Sequence, residues 1–510
     1  MNAPPGTALA CLVALAGCAG PRLPAAHYPP PSGPPDTRAV GVLTDPPPRP
    51  PPDPKAGPLA LPPSLPGAAA PPLVPPKFDK DTPQAEREAA VRKAFPALTP
   101  VGAAEPPAGA PLTLADLRQL AAAHSPVLRR AAAEADAAHG QVIQAGLHPN
   151  PTVGYQADAV QPWLRVPEGS TASGAGQQGG YVNQLIKTAG KLKLAQQVAG
   201  FDYVNALVAV RRAEADVAAA VRTQYFAVLV SRQAVEVNRA VVALADEVYR
   251  RQLAQAAAGQ APVYEPLQAH AEAEQARIAL TQAEAAHRAA WRQLAAAVGR
   301  PDLPPAALVG SAEVAPPSFD ADRLRAWVLE QHTDVLTARN AHAQAQANVV
   351  LQRRAPIPDV STYQYHEYDN LAQTYQYGLQ IGVQLPLFDR NQGNVHTAAA
   401  RVVRAAAQVE AAQTDLAGRV AEAFGRFEAN RAVAARYRDG ILPSLTRAYR
   451  AMAQRNQTEP DAVSFDDLVK VQQDLGQALQ AYLTALDAQW RAVVDLANLG
   501  QLDDLFPPAP

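Results

Sequence analysis

Tyr375-Gln-Tyr-Gly-Leu-Gln-Ile-Gly-Val-Gln-Leu-Pro-Leu-Phe-Asp-Arg-Asn-Gln392 poses the central question of this chain. From Tyr375 to Leu385 every odd position is apolar: Tyr375, Tyr377, Leu379, Ile381, Val383 and Leu385. Every even position, Gln376, Gly378, Gln380, Gly382 and Gln384, is Gln or Gly. An unbroken period of two predicts a strand with one apolar and one wet face. Soluble sheets usually charge the wet face, and this one is uncharged. Two readings follow: an edge strand of a soluble α+β domain, or a membrane strand of about ten residues. Pro386 and Asp389 end the strand, and a helical pattern then runs for more than sixty residues.

Working outward, 510 residues leave room for two or three domains. The net charge of -2 leaves no basic excess to neutralise phosphates, which argues against nucleic acid as a partner. Beyond the N-terminus no run of eighteen apolar residues occurs, so no helical membrane span is expected; a barrel signal is weaker and stays open.

Both cysteines, Cys11 and Cys18, lie at the start, so neither a disulfide nor thiolate chemistry is expected in the body. A short apolar run ends in Leu15-Ala16-Gly17-Cys18, which resembles a bacterial lipobox. Residues 1–18 are therefore expected to be a lipoprotein-type signal peptide, with Cys18 the lipidated residue. No Lys or Arg precedes the apolar run, a departure from that pattern. Of 50 Pro, 30 precede Leu112. Proline fixes φ and lacks a donor, so residues 19–111 are expected to form a disordered tether, with a short helix around Gln84 to Phe95.

From Leu112 the chain repeats itself. His124-Ser-Pro-Val-Leu128 returns 208 residues later as His332-Thr-Asp-Val-Leu336, and Pro149-Asn-Pro151 returns as Pro356-Ile-Pro358. Each half reads helix, Pro-x-Pro break, hairpin, very long helix, turn, helix: residues 112–310 with strands about 152–161 and 181–187, and 320–502 with strands about 359–368 and 375–385. Leu114 to Leu147 reads as one helix, and 503–510 as a disordered tail. Tyr363, Tyr365, Tyr368, Tyr375 and Tyr377 gather toward the second hairpin's turn, suiting an interfacial aromatic girdle or ordinary strand preference.

Ala189 to Ala258 contains no Pro, and about seventy residues at 1.5 Å give roughly 100 Å of helix. Val221, Val228, Val235 and Val242 recur every seven residues, then Tyr249; Val230, Val237 and Leu244 form a second row. Two heptad seams on different faces predict neighbours on both sides, as in a cylinder wall. Each long helix ends at a turn, near Gly259 and near Asn456, and a returning helix closes at Gly299 or Gly500.

Leu112-Thr113-Leu114, Pro149-Asn150-Pro151 and Leu385-Pro386-Leu387-Phe388-Asp389 together make the chain resemble the TolC-type outer-membrane efflux factors. Pro386 to Asn394 looks most like the CzcC-like heavy-metal branch, although the first repeat has Leu185 where that Pro would stand. The resemblance implies a mainly α fold with a membrane β-barrel contribution. Three chains would build a twelve-stranded barrel continued by a periplasmic α-helical barrel. It further implies a homotrimer in outer-membrane lipid, coupled to a periplasmic adaptor (membrane fusion protein) and an inner-membrane pump. Gln376, Gly378, Gln380, Gly382 and Gln384 would line the pore. The two turns would form the periplasmic tip, with Gly259, Leu267, Phe465 and Leu468 at the adaptor-docking surface and Glu265, Asp466 and Asp467 at the aperture. Asp466 matches the family's first aspartate; Val469 stands where a second would be. A ring of three such charges would select cations, while acids also suit a helix N-terminus for dipole reasons alone.

No HExxH, CxxC, GxSxG or P-loop spacing occurs, so neither enzyme chemistry nor a cofactor or metal site is expected. His124 and His332 occupy equivalent repeat positions and read as packing or surface residues. A periplasmic coiled-coil adaptor is the main alternative, but it needs a compact β-rich domain that the chain does not offer. A structural lipoprotein without a channel would leave the alternation at Tyr375 without a purpose.

Overall fold

A computed structural model describes residues 64–71, 73–74, 76–79, 81–102, 109–158, 176–370, 372–458 and 465–505. The expected leader with Cys18, residues 159–175 and the expected second tip turn at 459–464 lie outside the described residues. The chain divides into two units, 1–72 and 73–510. In the first, Ala68 N–H donates to Leu65 O at 3.0 Å in a turn with Gly67 at φ 90°.

The second unit carries the elements: α1 (Gln84–Ala94), β1 (Gly109–Leu112), α2 (Leu114–His124), α3 (Pro126–Gly146), β2 (Thr152–Asp158), β3 (Gln177–Ile186), α4 (Lys191–Ala257), α5 (Tyr264–Ala297) and β4 (Ala306–Leu308). The second half continues with α6 (Ala321–Gln331), α7 (Thr333–Arg354), β5 (Val360–Asp369), β6 (Thr374–Val383), α8 (Gln392–Arg436), α9 (Leu442–Thr458) and α10 (Phe465–Gly500).

Several boundaries differ from the sequence reading, each for a local reason. Leu114 to Leu147 is two helices, because Pro126 has no N–H to continue α2 and instead starts α3 at its first turn. Thr113 opens α2 through a capping box: its hydroxyl accepts from Asp116 N–H at 3.2 Å, and the Asp116 carboxylate accepts from Thr113 N–H at 2.9 Å. The tether does not run unstructured to residue 111. Helix α1 packs on α4, and β1 pairs in parallel with β4. Nor is the tail free from residue 503: Leu505 is buried in the main core, Arg118 pairs with Asp504 at 3.0 Å, and buried Arg222 donates to the carbonyls of Leu502 and Asp503. A guanidinium taken out of water needs such acceptors, which fixes the chain end against α4.

The first heptad row of α4 is buried from Val221 through Val228, Val235 and Val242 to Tyr249. Its upper members join the main core, and Val235 and Val242 pack with Leu280 of α5. Of the second row Val230 is buried, while Val237 and Leu244 are half-buried. The main core lies where both halves meet: Trp490 stacks on Phe226 at 3.8 Å and donates its Nε1–H to Ala312 O at 2.7 Å. Such a stacked pair adds about 1 kcal/mol beyond area burial.

Helices α8 and α9 are joined by a π-helical turn, Tyr437–Ile441, in which Leu442 N–H reaches back five residues to Tyr437 O. Pro443 cannot donate, and the wider turn lets the chain pass it without a break. Helix α5 ends in a Schellman motif at Gly299, φ 81°, with Arg300 N–H donating to Ala295 O. Helix α10 ends the same way, but Gln501, φ 49°, takes the left-handed position. Gly500 is needed for a different reason: a Cβ there would lie 2.9 Å from Leu324 Cδ1.

Candidate functional site

Three surfaces matter: the sheet, its junction with the long helices, and the tip.

The four long strands form one antiparallel sheet in the order β2-β3-β5-β6, so the two hairpins pair through β3 and β5. Residues opposite one another share a face. One face carries Val153, Tyr155, Val182, Ile186, Val360, Leu379, Ile381 and Val383, interrupted by Gln178, Gln184 and Gln364. The apolar row of β6 is open along its whole length, from 54% exposed at Val383 to 79% at Tyr377. Five aromatic or imidazole rings gather at the loop end of this face: Tyr155, His366, Tyr368, Tyr375 and Tyr377. His366 stacks on Tyr375 at 5.1 Å and lies tilted against Tyr377 at 4.4 Å. The expected tyrosine girdle is therefore corrected: Tyr363 and Tyr365 lie on the other face with Tyr181.

That other face carries Gln376, Gly378, Gln380 and Gly382, as the alternation requires. Gln384 lies past the end of β6. The face is uncharged on β3 and β6 but not on β5. Glu367, 3% exposed, takes a hydrogen bond from Gln156 across Gly179, and Asp369 accepts from Gln177 and Gln376, both at 3.1 Å. The glycines of this face are where neighbours cross: a Cβ on Gly378 would stand 2.0 Å from the Tyr365 ring, and one on Gly154 2.5 Å from Tyr181. Aromatic rings folded over cross-strand glycines fill the gap that the missing side chain leaves.

At the junction Asp359 ties the hairpins to the helices. Its carboxylate accepts from Lys187 and Lys191 Nζ at 2.9 Å each and from Thr188 N–H at 3.1 Å. Burial alone would raise this carboxyl, but those hydrogen bonds outweigh it and hold it well below the usual carboxylate range. Both long helices are entered through a left-handed residue, Gly190 at φ 67° and Asn391 at φ 59°. Asn tolerates that region, and its amide donates to Gln352 O at 2.8 Å. This is the structural content of Asp389-Arg-Asn-Gln392. Leu385, Leu387 and Phe388 project beside it, Phe388 92% exposed.

At the tip, Gly259 at φ 73° closes α4 in another Schellman motif, Gln260 N–H donating to Gln255 O at 2.9 Å. Glu265 lies in the first turn of α5, where Leu267 is exposed. Leu468 is instead buried with Val248, Tyr249 and Ala269, which removes it from the expected docking surface. The reason is the packing of α10 on α4. Asp467 is exposed, and the side chains of Phe465 and Asp466 lie outside the described residues.

His332, unlike exposed His124, is buried, and its Nδ1 caps α7 by accepting from Asp334 N–H at 3.1 Å. Burial lowers its pKa against the opposing pull of the Asp334 carboxylate. At the equivalent position His124 is the last residue of α2, so the shared histidine gave no sequence signal for capping. Among the described residues no group of three or more His, Cys, Asp and Glu is placed to hold a metal ion, and no helix is long and apolar enough to cross a membrane.

A mainly helical chain with a small antiparallel sheet, apolar and open on one face and polar on the other, defines a protein of the TolC-like channel fold. The chain belongs to the outer membrane efflux protein family, whose sequence model matches residues 117–300 and 325–500. Its members are outer-membrane channels and not enzymes. The chain is 26% identical over 392 residues to the cobalt-zinc-cadmium resistance protein CzcC of Cupriavidus metallidurans, covering 77% of this chain and 90% of that one. Among solved structures, CusC matches with a TM-score of 0.63 at 18% identity, covering 76% of this chain and 91% of its own. VceC of Vibrio cholerae matches with a TM-score of 0.61 at 19% identity, covering 76% and 96%.

Proposed function

We propose that this protein is the outer-membrane exit duct of a tripartite efflux system that carries divalent metal ions. Three copies, joined β6 to β2 around a threefold axis, would close a twelve-stranded barrel and continue it as a helical tunnel toward a periplasmic adaptor and an inner-membrane pump. The observation that carries the reading is the sheet: strands of 7 to 10 residues with one open apolar face and, among the described residues, two unpaired edges at β2 and β6. Such edges cannot be left in lipid, because each unpaired backbone group costs several kcal/mol there, so oligomeric closure is required. Cyclic symmetry closes head-to-tail contacts. Matches to the same family model in each half support the reading of a duplicated chain. Similarity to CzcC supports the metal cargo, and the Asp369 carboxylate on the polar face suits cations. Cys18 would anchor each chain by lipid.

Detergent extraction from outer membranes should give a trimer with heat-modifiable migration, and planar bilayers should show cation-preferring conductance. Expression beside a metal pump in a host lacking its own duct should restore resistance to cobalt, zinc or cadmium. A soluble monomer without conductance would overturn the duct; conductance without resistance would overturn only the cargo.

A further inference from the structure

The second half of the Pro-rich stretch is bound to the tip by a built contact. Val91 of α1 and Phe95 just after it bury themselves with Ala257 against Leu253, Ala256 and Val263, beside the α4–α5 turn. The chain then runs along the α4–α5 pair. Tyr249 Oη donates to Pro96 O at 2.6 Å, and Arg277 Nε donates to Thr99 O at 2.6 Å. The Thr99 N–H and hydroxyl both donate to the Glu274 carboxylate, at 2.9 and 3.0 Å. Arg277 is itself buried and held by Asp246 at 2.7 and 3.0 Å, so this anchor is rigid on both sides.

Between these anchors Leu98 packs on a cluster shared by two hairpins. Val248, Tyr249 and Ala269 come from α4 and α5, Leu468 from α10, and Tyr449, Met452 and Ala453 of α9 pack on the same group. One segment thus touches the apolar cluster that holds the α9–α10 hairpin against the α4–α5 hairpin. That cluster is small, with four buried residues, so one added leucine is a large share of it.

We propose that residues 84–102 form a latch on the periplasmic tip: docked, the segment holds the two hairpins together, and released, it lets α9 and the start of α10 move away. The mechanical part stands on these contacts alone; its effect on flow rests on the duct reading above.

Hydrogen exchange on the detergent-solubilised full chain tests the latch directly. Leu98→Ala should raise amide exchange across 442–458 and 468–476 by about tenfold, the loss expected for a partly buried leucine in a small cluster. Val91→Asp with Phe95→Asp, which detaches α1 but keeps Leu98 and reaches the shared cluster only through Leu253, should free residues 84–99 and raise the same tip amides more weakly. Unchanged exchange at 442–458 in both variants, with 84–99 exchanging freely, overturns the latch. In planar bilayers Leu98→Ala should raise the open fraction severalfold. A loosened tip with unchanged conductance overturns the gating role, whereas absence of conductance in wild type and variant alike removes the duct reading and leaves the exchange result to decide the latch.

Discussion

His332 shows how a helix start changes where Ser125-Pro126 of the first half is answered by Thr333-Asp334. In the first repeat Pro126 begins α3 by having no N–H to satisfy; in the second, the imidazole accepts from the N–H of Asp334. An acceptor must be unprotonated, and burial favours that form. Asp334 and Asp216 pull the other way, and Arg212 and Arg419 add to the effect of burial. A folded pKa below the unfolded value of about 6.5 means that the unfolded chain binds more protons as pH falls. Stability from this site is therefore complete above about pH 6.5 and declines below it. Urea titrations between pH 5 and 8 should show that slope, and His332→Asn, which keeps a capping acceptor but does not titrate there, should flatten it.

At the scale of elements, the sheet depends on glycine more than its alternation suggests. A Cβ on Gly179 would stand 2.0 Å from the His366 carbonyl oxygen and 2.5 Å from Glu367 Cα, both backbone atoms that cannot turn aside. Gly179→Ala should cost about 3 kcal/mol and loosen the pairing of β3 with β5, read as a lowered melting temperature of the assembled protein. Gly180→Ala, whose nearest neighbour is Gly154 O at 3.7 Å, is the control and should be tolerated. The alternation at Tyr375 was legible because period two survives any tertiary arrangement. Which tyrosines shared its face was not, because Tyr363 and Tyr365 sit on the opposite parity of β5 and only the register with β6 settles it. The same holds for Glu367: nothing local marks a carboxylate that is satisfied by Gln156, more than two hundred residues away.

For the whole molecule, periodicity and repeats were enough to read long helices and two hairpins, while the family was read from a resemblance carried by the motifs at Leu112, Pro149 and Leu385. The docked segment was hidden by its prolines. Proline content reports what a stretch cannot do alone, whereas Thr99, Pro96 and Leu98 are ordered by groups on α4 and α5. The aperture remains a proposal at this scale, because a ring exists only in the assembly. Asp466→Ala should then change single-channel conductance and weaken block by multivalent cations in planar bilayers; an unchanged channel would remove Asp466 from the gate.

The π-helical turn at Tyr437–Ile441 carries a geometric corollary. A π turn seats one residue more than an α turn, which rotates everything beyond it by roughly 100° relative to an unbroken helix. The faces of α9 thus cannot be counted on from the heptads of α8. In the first repeat α4 runs from Lys191 to Ala257 in one phase. The two halves of a chain that repeats in sequence are therefore out of phase at their far ends, and the α9–α10 hairpin is aimed independently of the wall that carries it.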